Sequence, residues 1–170
     1  KYIRISNGII TDFALNDACS AGTGSFLEEL CNSFSDYFNL KNLNNTAQDA
    51  EYGINLGQHC SVFISDVIEK AIFFGCTKEC LAVGLFDSVI VNYLNRVKKN
   101  RTIGKKIFCQ GMPFSMEALA CSVARQTGCE IIIPNNPGTI GALGASLLAR
   151  RSLINDKSKY LNIDLVFNVE

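Results

Sequence analysis

The segment from Lys106 to Ala149 limits the possible folds of this chain most narrowly. A short apolar run at Lys106–Cys109 leads to a turn at Gln110-Gly111, and an amphipathic helix is predicted from Met116 to Gln126. A second apolar run, Glu130–Ile133, leads to another turn and then to a helix rich in small residues. Strands that alternate with helices are typical of α/β domains with parallel strands. Because ligands of such sheets bind beyond the carboxyl ends of the strands, both turns are candidate binding sites.

A glycine-rich stretch near the start of the chain is a third candidate. Tyr2–Ile5 and Ile9–Leu15 alternate apolar and polar residues around Asn7-Gly8, which predicts a β-hairpin. Asn16–Glu29 follows, with a cysteine, two glycines and the start of an amphipathic helix. Glycine allows close backbone approach to a ligand, and a helix N-terminus offers free N–H groups to an anion. Spacing alone leaves two interpretations open: a metal or redox thiol at a binding turn, or Cys19 as a small buried hydrophobe before a core helix.

The middle of the chain is predicted to be mainly helical. Helical spacing of apolar residues extends over Phe26–Phe38, Val67–Phe74 and Leu81–Val97. The Asn-rich segment 39–45 between them is predicted to be a loop inserted between core elements.

Two cysteine arrangements in this region invite a catalytic or metal-binding interpretation. Cys60 follows His59, the only histidine, but adjacent residues do not usually face each other, so a Cys/His nucleophile is disfavoured. Cys76 and Cys80 have helical i, i+4 spacing without a second matching pair. We interpret them as packing at a helix start rather than as a zinc site.

The composition restricts the class of partner and the redox environment. The chain has 170 residues, with 16 basic and 16 acidic side chains. A net charge of zero gives no electrostatic reason to expect binding to nucleic acid or to an anionic membrane. There are eight cysteines, but a chain this long and apolar does not need disulfides for stability, so free thiols in a reducing cytoplasm are expected. Cys121 and Cys129 are expected to be buried.

Five segments occur in a distinctive order. They are Asn16–Glu28, Cys60–Ile64, Asn92–Val97, Gly104–Gly111 and Pro134–Ala145. Together they resemble the ATP-dependent activators of 2-hydroxyacyl-CoA dehydratases and the related ATPase subunits of benzoyl-CoA reductases. The resemblance covers residues 1 to about 150, and residues 92–111 look especially like the large, multidomain activases. The cysteine followed by Gly-Thr-Gly and the terminal Gly-Ala helix, in this order, are fairly specific.

The resemblance implies an α/β fold. This fold would be a ribonuclease-H-like lobe, of the kind found in the superfamily of acetate and sugar kinases, heat-shock chaperones and actin. Two such lobes close on ATP. Residues 1–150 would form the second, C-terminal lobe, incomplete and with a helical insert, and residues 151–170 a linker or the start of a following segment. The family's phosphate-binding Gly-Gly-Gln-Asp motif would lie just before Lys1, and the first lobe's phosphate loop further upstream. The chain is therefore expected to be truncated at its N-terminus and not to hydrolyse ATP by itself.

The resemblance also implies two cofactors. In the family, two cysteines per subunit hold one [4Fe-4S] cluster across a homodimer interface, and they correspond to Cys19 and Cys60. Two thiolates per chain cannot complete a four-thiolate cluster, so a second subunit is needed. The family's adenosine-side Gly-Gly turn appears as Gly111-Met112-Pro113, which is a departure from its pattern. The residues implied to bind ATP or ADP with Mg²⁺ are Gly22, Thr23, Gly24, Gln110, Gly111 and Gly138.

The function implied is that of an iron–sulfur ATPase activator. Such a protein couples ATP hydrolysis to low-potential electron transfer to a 2-hydroxyacyl-CoA dehydratase or a benzoyl-CoA reductase-type enzyme in the cytoplasm. Two alternatives stay open. One is a kinase-like or chaperone-like nucleotide-binding lobe without a cluster, in which both cysteines are structural. The other is a degenerate, non-catalytic binding module, suggested by Met112-Pro113 and the missing phosphate motifs. No catalytic residue is assigned.

Overall fold

The computed structural model describes residues 1–16 and 23–151, and it begins with the predicted hairpin. Strand β1 (Tyr2–Ser6) pairs antiparallel with β2 (Ile9–Ala14). Asn7 and Gly8, in the turn, have φ angles of 51° and 77°. A two-residue hairpin turn of this kind requires positive φ at both central positions, which Asn-Gly tolerates best. The hairpin prediction is confirmed.

Helices occupy the middle of the chain. They are α1 (Gly24–Ser33), α2 (Leu43–Gln48), α3 (Ser61–Phe73) and α4 (Lys78–Tyr93). A π-helical turn over Leu94–Lys98 continues α4. Helix α4 is central to the core, because it packs against α1, α2 and a later helix, α5 (Glu117–Thr127), and ten of its residues are buried.

The continuous helix from Lys78 to Lys98 is also the one span in the described residues with the length and hydropathy to cross a membrane. Most of its apolar window, 61%, is buried inside this fold. A helix that is apolar on most of its circumference and covered by neighbours is a core helix.

The predicted α/β alternation follows α4. Strand β3 (Lys106–Phe108) pairs in parallel with β4 (Glu130–Ile132), and helix α5 (Glu117–Thr127) connects them. Short 3₁₀ segments, Met112–Ser115 and Pro137–Thr139, follow the two strands. Among the described residues β1–β2 and β3–β4 form two separate two-stranded sheets.

The chain divides into two units after Ile140. Helix α6 (Ile140–Arg151) is the predicted small-residue helix, and none of its residues is buried. The assignment of residues 1–150 to a second lobe and of 151–170 to a linker stays a prediction.

Four expectations from the sequence need correction. The segment 39–45, predicted to be a loop, is helical from Leu43, where α2 begins. Helix α3 begins at Ser61 rather than Val67, and α1 ends at Ser33 rather than at Phe38. Cys121 is exposed and Cys129 is only half-buried. Helix α5 turns Leu119, Ser122 and Val123 inward, so Cys121 lies on its outer side. The seven cysteines among the described residues are free thiols.

Two core thiols make the stability of the fold sensitive to alkaline pH. Burial raises the pKa of Cys31 and that of Cys109 to about 11, from an ordinary value near 9. The unfolded chain therefore loses these protons first, and the stabilisation present below pH 9 is lost as pH rises towards 11. We expect roughly 1–3 kcal/mol per thiol, measured as the urea unfolding free energy against pH. Cys109→Ala should flatten the profile, and an unchanged slope in this variant would contradict the assignment.

Candidate nucleotide and metal-ligand site

Cys60 occupies the N-terminus of α3, which brings a half-buried thiol next to unpaired backbone amides. Its backbone is extended, with φ −74° and ψ 167°, and its carbonyl accepts the hydrogen bond of the Ile64 N–H at 3.0 Å. The first amides of a helix have no intrahelical acceptor and carry a partial positive charge. The start of α3 therefore suits the binding of an anionic group.

The loop that leads to Cys60 is fixed by polar side chains on α4. The Ser88 hydroxyl donates to the Gly57 carbonyl at 2.9 Å. The Asn92 amide donates to the His59 carbonyl at 3.1 Å and to the Ser88 carbonyl at 3.0 Å. Asn92 is fully buried, with 0% of its surface exposed. These bonds satisfy loop carbonyls that would otherwise be costly to bury, and they hold the backbone at Cys60.

Asn92→Ala is expected to destabilise this loop strongly. It leaves the His59 carbonyl without its donor inside the fold, so the unfolding free energy should fall by about 2–4 kcal/mol. Alkylation of Cys60 should also become faster. Asn95 on the same helix donates to Gln58 at 2.7 Å but is exposed, so Asn95→Ala is the matched control, with an effect below about 0.5 kcal/mol. Equal urea midpoints for the two variants would contradict the role of Asn92.

His59 folds back over Gly57 in the same loop. Gly57 has φ 72°, and a methyl group there would lie 3.0 Å from Nε2 of His59. The imidazole ring of His59 therefore packs against Gly57. This contact gives no support to a catalytic pair of Cys60 and His59.

Three turns meet at the predicted nucleotide side of the fold. Gly24, the first residue of α1, is so close to Pro113 that a methyl group on Gly24 would lie 2.6 Å from Cγ of the proline. A methyl group on Gly138 would lie 2.8 Å from Sδ of Met112. Real Cβ atoms do not approach other atoms this closely, so only glycine fits at both positions without movement of the neighbour.

A hydrogen bond fastens the turns after β3 and β4 to each other. The Gly111 N–H donates to the Pro137 carbonyl at 2.8 Å. Gly111 has φ 114°, a conformation that side-chain-bearing residues rarely adopt. The parallel pairing of β3 with β4 places both turns at the carboxyl ends of their strands, as the sequence predicts.

The structure brings together some of the predicted site residues. Gly24, Gly111 and Gly138 belong to the meeting turns, and Gln110 is exposed beside them. Thr23 is the N-cap residue of α1, without a side-chain capping bond. Cys19 and Gly22 lie outside the described residues.

Cys60 is the N-cap residue of α3, which packs against α1, the helix that begins at Gly24. Within residues 1–16 and 23–151, no three His, Cys, Asp or Glu side chains are grouped to hold a metal ion.

Sequence reasoning missed the supporting role of Ser88 and Asn92. The signal was available, because a serine and an asparagine four residues apart interrupt the apolar stripe of α4. Polar residues at helical spacing inside an apolar stripe are buried together and need partners.

A comparison with family models identifies the family of this chain. The model described as "BadF/BadG/BcrA/BcrD ATPase family" matches residues 1–149, which is most of the chain. The chain belongs to this ATPase family. The family resemblance inferred from the five motifs is confirmed.

Named relatives are dehydratase activators. The chain is 26% identical over 150 residues to the 2-hydroxyisocaproyl-CoA dehydratase activator of Clostridioides difficile, covering 88% of this chain and 55% of the relative. It is 27% identical over 152 residues to the (R)-2-hydroxyglutaryl-CoA dehydratase activating ATPase of Acidaminococcus fermentans, covering 88% and 56%. The chain thus spans about half the length of these relatives.

Solved structures of such activators have the same fold. Component A of the (R)-2-hydroxyglutaryl-CoA dehydratase of Acidaminococcus fermentans matches with a TM-score of 0.79 at 25% identity, covering 88% of this chain and 56% of that one. The activator of the 2-hydroxyisocaproyl-CoA dehydratase from Clostridium difficile, solved with bound ADPNP, matches with a TM-score of 0.75 at 23% identity, covering 92% and 60%. The predicted fold class, the actin-like ATPase fold, is confirmed.

Proposed function

We propose that this chain is part of an ATP-dependent activator that passes a low-potential electron to a 2-hydroxyacyl-CoA dehydratase or a benzoyl-CoA reductase-type enzyme in the cytoplasm. The observation that carries the proposal is the meeting of the Gly24, Gly111 and Gly138 turns in a member of an ATPase family. Relatives with this architecture are named as dehydratase activators.

The meeting turns offer two features that suit a nucleotide. A methyl group on Gly111 would meet only Cδ of Pro113 at 3.7 Å, so a ligand can approach the backbone there, and the N-terminus of α1 offers amides to a phosphate. We assign Gly22, Thr23, Gly24, Gln110, Gly111 and Gly138 to the binding of ATP or ADP with Mg²⁺. In this assignment the α1 end faces the phosphates and the turns after β3 and β4 face the nucleoside.

Met112 and Pro113 favour a second candidate function, a degenerate binding module. Their side chains cover the faces of Gly138 and Gly24, where a nucleotide would otherwise have room. Calorimetric titration of the intact protein with Mg-ATP separates the two. Saturable binding with a Kd below about 1 mM supports the activator, and weaker or absent binding supports the degenerate module.

The thiol of Cys60 fits an iron–sulfur cluster in its position. It lies half-buried at the start of a 13-residue helix. We propose that Cys60 and Cys19 of two copies hold one [4Fe-4S] cluster. Such a cluster supplies one-electron transfer at low potential.

The residues after Cys60 support contact with a second copy. Val62 and Phe63, in the first turn of α3, are 73% and 67% exposed. These exposed apolar side chains lie next to Cys60, one of the two cluster ligands that we propose for each chain. They are therefore suited to burial in a homodimer interface. A cluster-free kinase-like or chaperone-like lobe would instead be a monomer that binds nucleotide and contains no iron.

A further inference from the structure

The N-terminus of α5 receives its capping bond from a different helix. Met116, the residue before α5, has an extended backbone and makes no side-chain capping bond. The Ala118 N–H, in the first turn of α5, donates instead to Oδ1 of Asn44 on α2 at 2.9 Å. Asparagine is a good capping residue because its carbonyl oxygen accepts from an amide that has no intrahelical partner. This bond joins residues 74 positions apart in the sequence, so α2 helps to fix where α5 begins.

Helix α2 is itself held in the core. Leu43 and Ala47 are buried, and the helix packs against both α4 and α5. Asn44 follows Leu43 directly and is half-buried. A second, exposed bond joins the two helices, because Nε2 of Gln48 donates to Oε2 of Glu117 at 3.1 Å. Asn44 is therefore presented to α5 by a helix that is packed in place.

Backbone hydrogen bonds connect the start of α5 to the turn that follows β3. The Met116 N–H donates to the Pro113 carbonyl, and the Leu119 N–H donates to the Met116 carbonyl, both at 3.1 Å. Only Met116 separates the 3₁₀ turn of Met112–Ser115 from α5. A displacement of the first turn of α5 therefore displaces the 3₁₀ turn as well.

The same 3₁₀ turn carries the side chains that contact two glycines of the candidate nucleotide site. Pro113 lies against Gly24, and Met112 lies against Gly138. Both contacts are closer than a methyl group on the glycine would allow. A small shift of the turn therefore changes the space over both glycines.

We propose that Asn44 is a positioning residue of the nucleotide site, which holds the turn Met112–Ser115 in place through the N-terminus of α5. This inference rests on the nucleotide binding proposed above. Asn44 acts through the Ala118 amide rather than on the nucleotide. Without the Asn44 oxygen this amide loses its acceptor, the first turn of α5 frays, and the preceding turn moves away from Gly24 and Gly138.

Amide hydrogen exchange of the intact protein, without nucleotide, tests the hold on the turn. The Phe114 N–H donates to the Gly111 carbonyl and the Met116 N–H to the Pro113 carbonyl, so the exchange of these two amides reports opening of the turn. We expect their exchange to be about tenfold faster in Asn44→Ala. Asn44→Asp should restore the original rates, because aspartate keeps an acceptor oxygen and adds a negative charge that a helix N-terminus favours. Unchanged exchange in Asn44→Ala overturns the proposal.

Calorimetric titration with Mg-ATP tests the consequence for the nucleotide site. The Kd should rise about fivefold or more in Asn44→Ala and return to within about twofold of its original value in Asn44→Asp. Rescue by aspartate distinguishes the capping bond from a general loss of packing at this position.

Ser122→Ala is the matched control, because it also removes a hydrogen bond of α5. The fully buried Ser122 hydroxyl donates to Oδ1 of Asp87 at 2.5 Å, in the middle of the helix rather than at its N-terminus. This variant should unfold at a lower urea concentration, with unchanged exchange at Phe114 and Met116 and an unchanged Kd for Mg-ATP.

The two measurements separate this proposal from the activator function. If the unsubstituted protein does not bind Mg-ATP, the activator proposal fails, and hydrogen exchange still decides whether Asn44 holds the turn. If the unsubstituted protein binds Mg-ATP and Asn44→Ala binds it as tightly, the positioning role is overturned. Equal losses of affinity in Asn44→Ala and Ser122→Ala also overturn it.

Discussion

Cys60→Ala abolishes the iron–sulfur cluster in anaerobically reconstituted protein: this is the largest effect we expect. The thiol lies at the N-terminus of α3, beside the backbone amides that stabilise a bound anion. Two thiolates per chain are the minimum for a cluster shared by two copies, so loss of either one leaves two of four ligands. Cys19→Ala should have the same result. Iron and acid-labile sulfide analysis, with the visible absorption spectrum, measures the loss.

Cys121→Ala is the matched control for this loss. Cys121 is an exposed free thiol on α5, so its removal should leave the iron content unchanged. Cys31 and Cys109 are unsuited as alternative ligands because both side chains are buried in the core, where a cluster cannot reach them. Full iron content in both Cys60→Ala and Cys19→Ala would show that the ligand assignment is wrong.

Gly24→Ala lowers the affinity for Mg-ATP by about tenfold or more, the second large effect we expect. The added methyl group would lie 2.6 Å from Cγ of Pro113, and a proline ring cannot rotate away. The 3₁₀ turn of Met112–Ser115 must therefore move from the start of α1. Overpacking of this kind costs about 1–3 kcal/mol, and 1.4 kcal/mol corresponds to a factor of ten in Kd.

Gly104→Ala is the control for Gly24→Ala. Gly104 lies before β3 without a positive φ, and its nearest neighbour would be the Lys106 carbonyl at 3.7 Å, an ordinary contact. Calorimetric titration of both variants should show wild-type affinity for Gly104→Ala alone. If Gly24→Ala binds Mg-ATP as tightly as the control, the meeting of the turns does not form the nucleotide site.

Local signals in the sequence were enough to predict much of the fold. Asn7-Gly8 specified the hairpin turn, and the helix predicted over Met116–Gln126 is present as α5, which ends before Gly128, at φ 66°. The parallel pairing of β3 with β4 followed from the strand–helix–strand order. Each of these features depends on a few neighbouring residues and on short-range backbone geometry, which a sequence pattern records.

Contacts between distant segments were not predictable in the same way. The contact of Gly24 with Pro113 joins residues far apart in the sequence, and so do the bonds from α4 to the Cys60 loop. The start of α3 was placed at Val67 because the exposed Val62 and Phe63 hide the helical pattern of its first turn. Exposed apolar residues of this kind indicate a surface that a partner covers. A prediction from hydrophobic periodicity treats every apolar residue as buried, so it misplaces them.

The iron content of the protein and the mass of its assembly test most directly the proposal that two copies of the chain share one [4Fe-4S] cluster. Anaerobically reconstituted protein is analysed for iron, sulfide and protein, and its mass is measured by analytical ultracentrifugation before and after iron removal. We expect one [4Fe-4S] cluster per two chains, hence about two iron atoms per chain, in a dimer that separates when the iron is removed. A monomer that binds Mg-ATP and takes up no iron would contradict it.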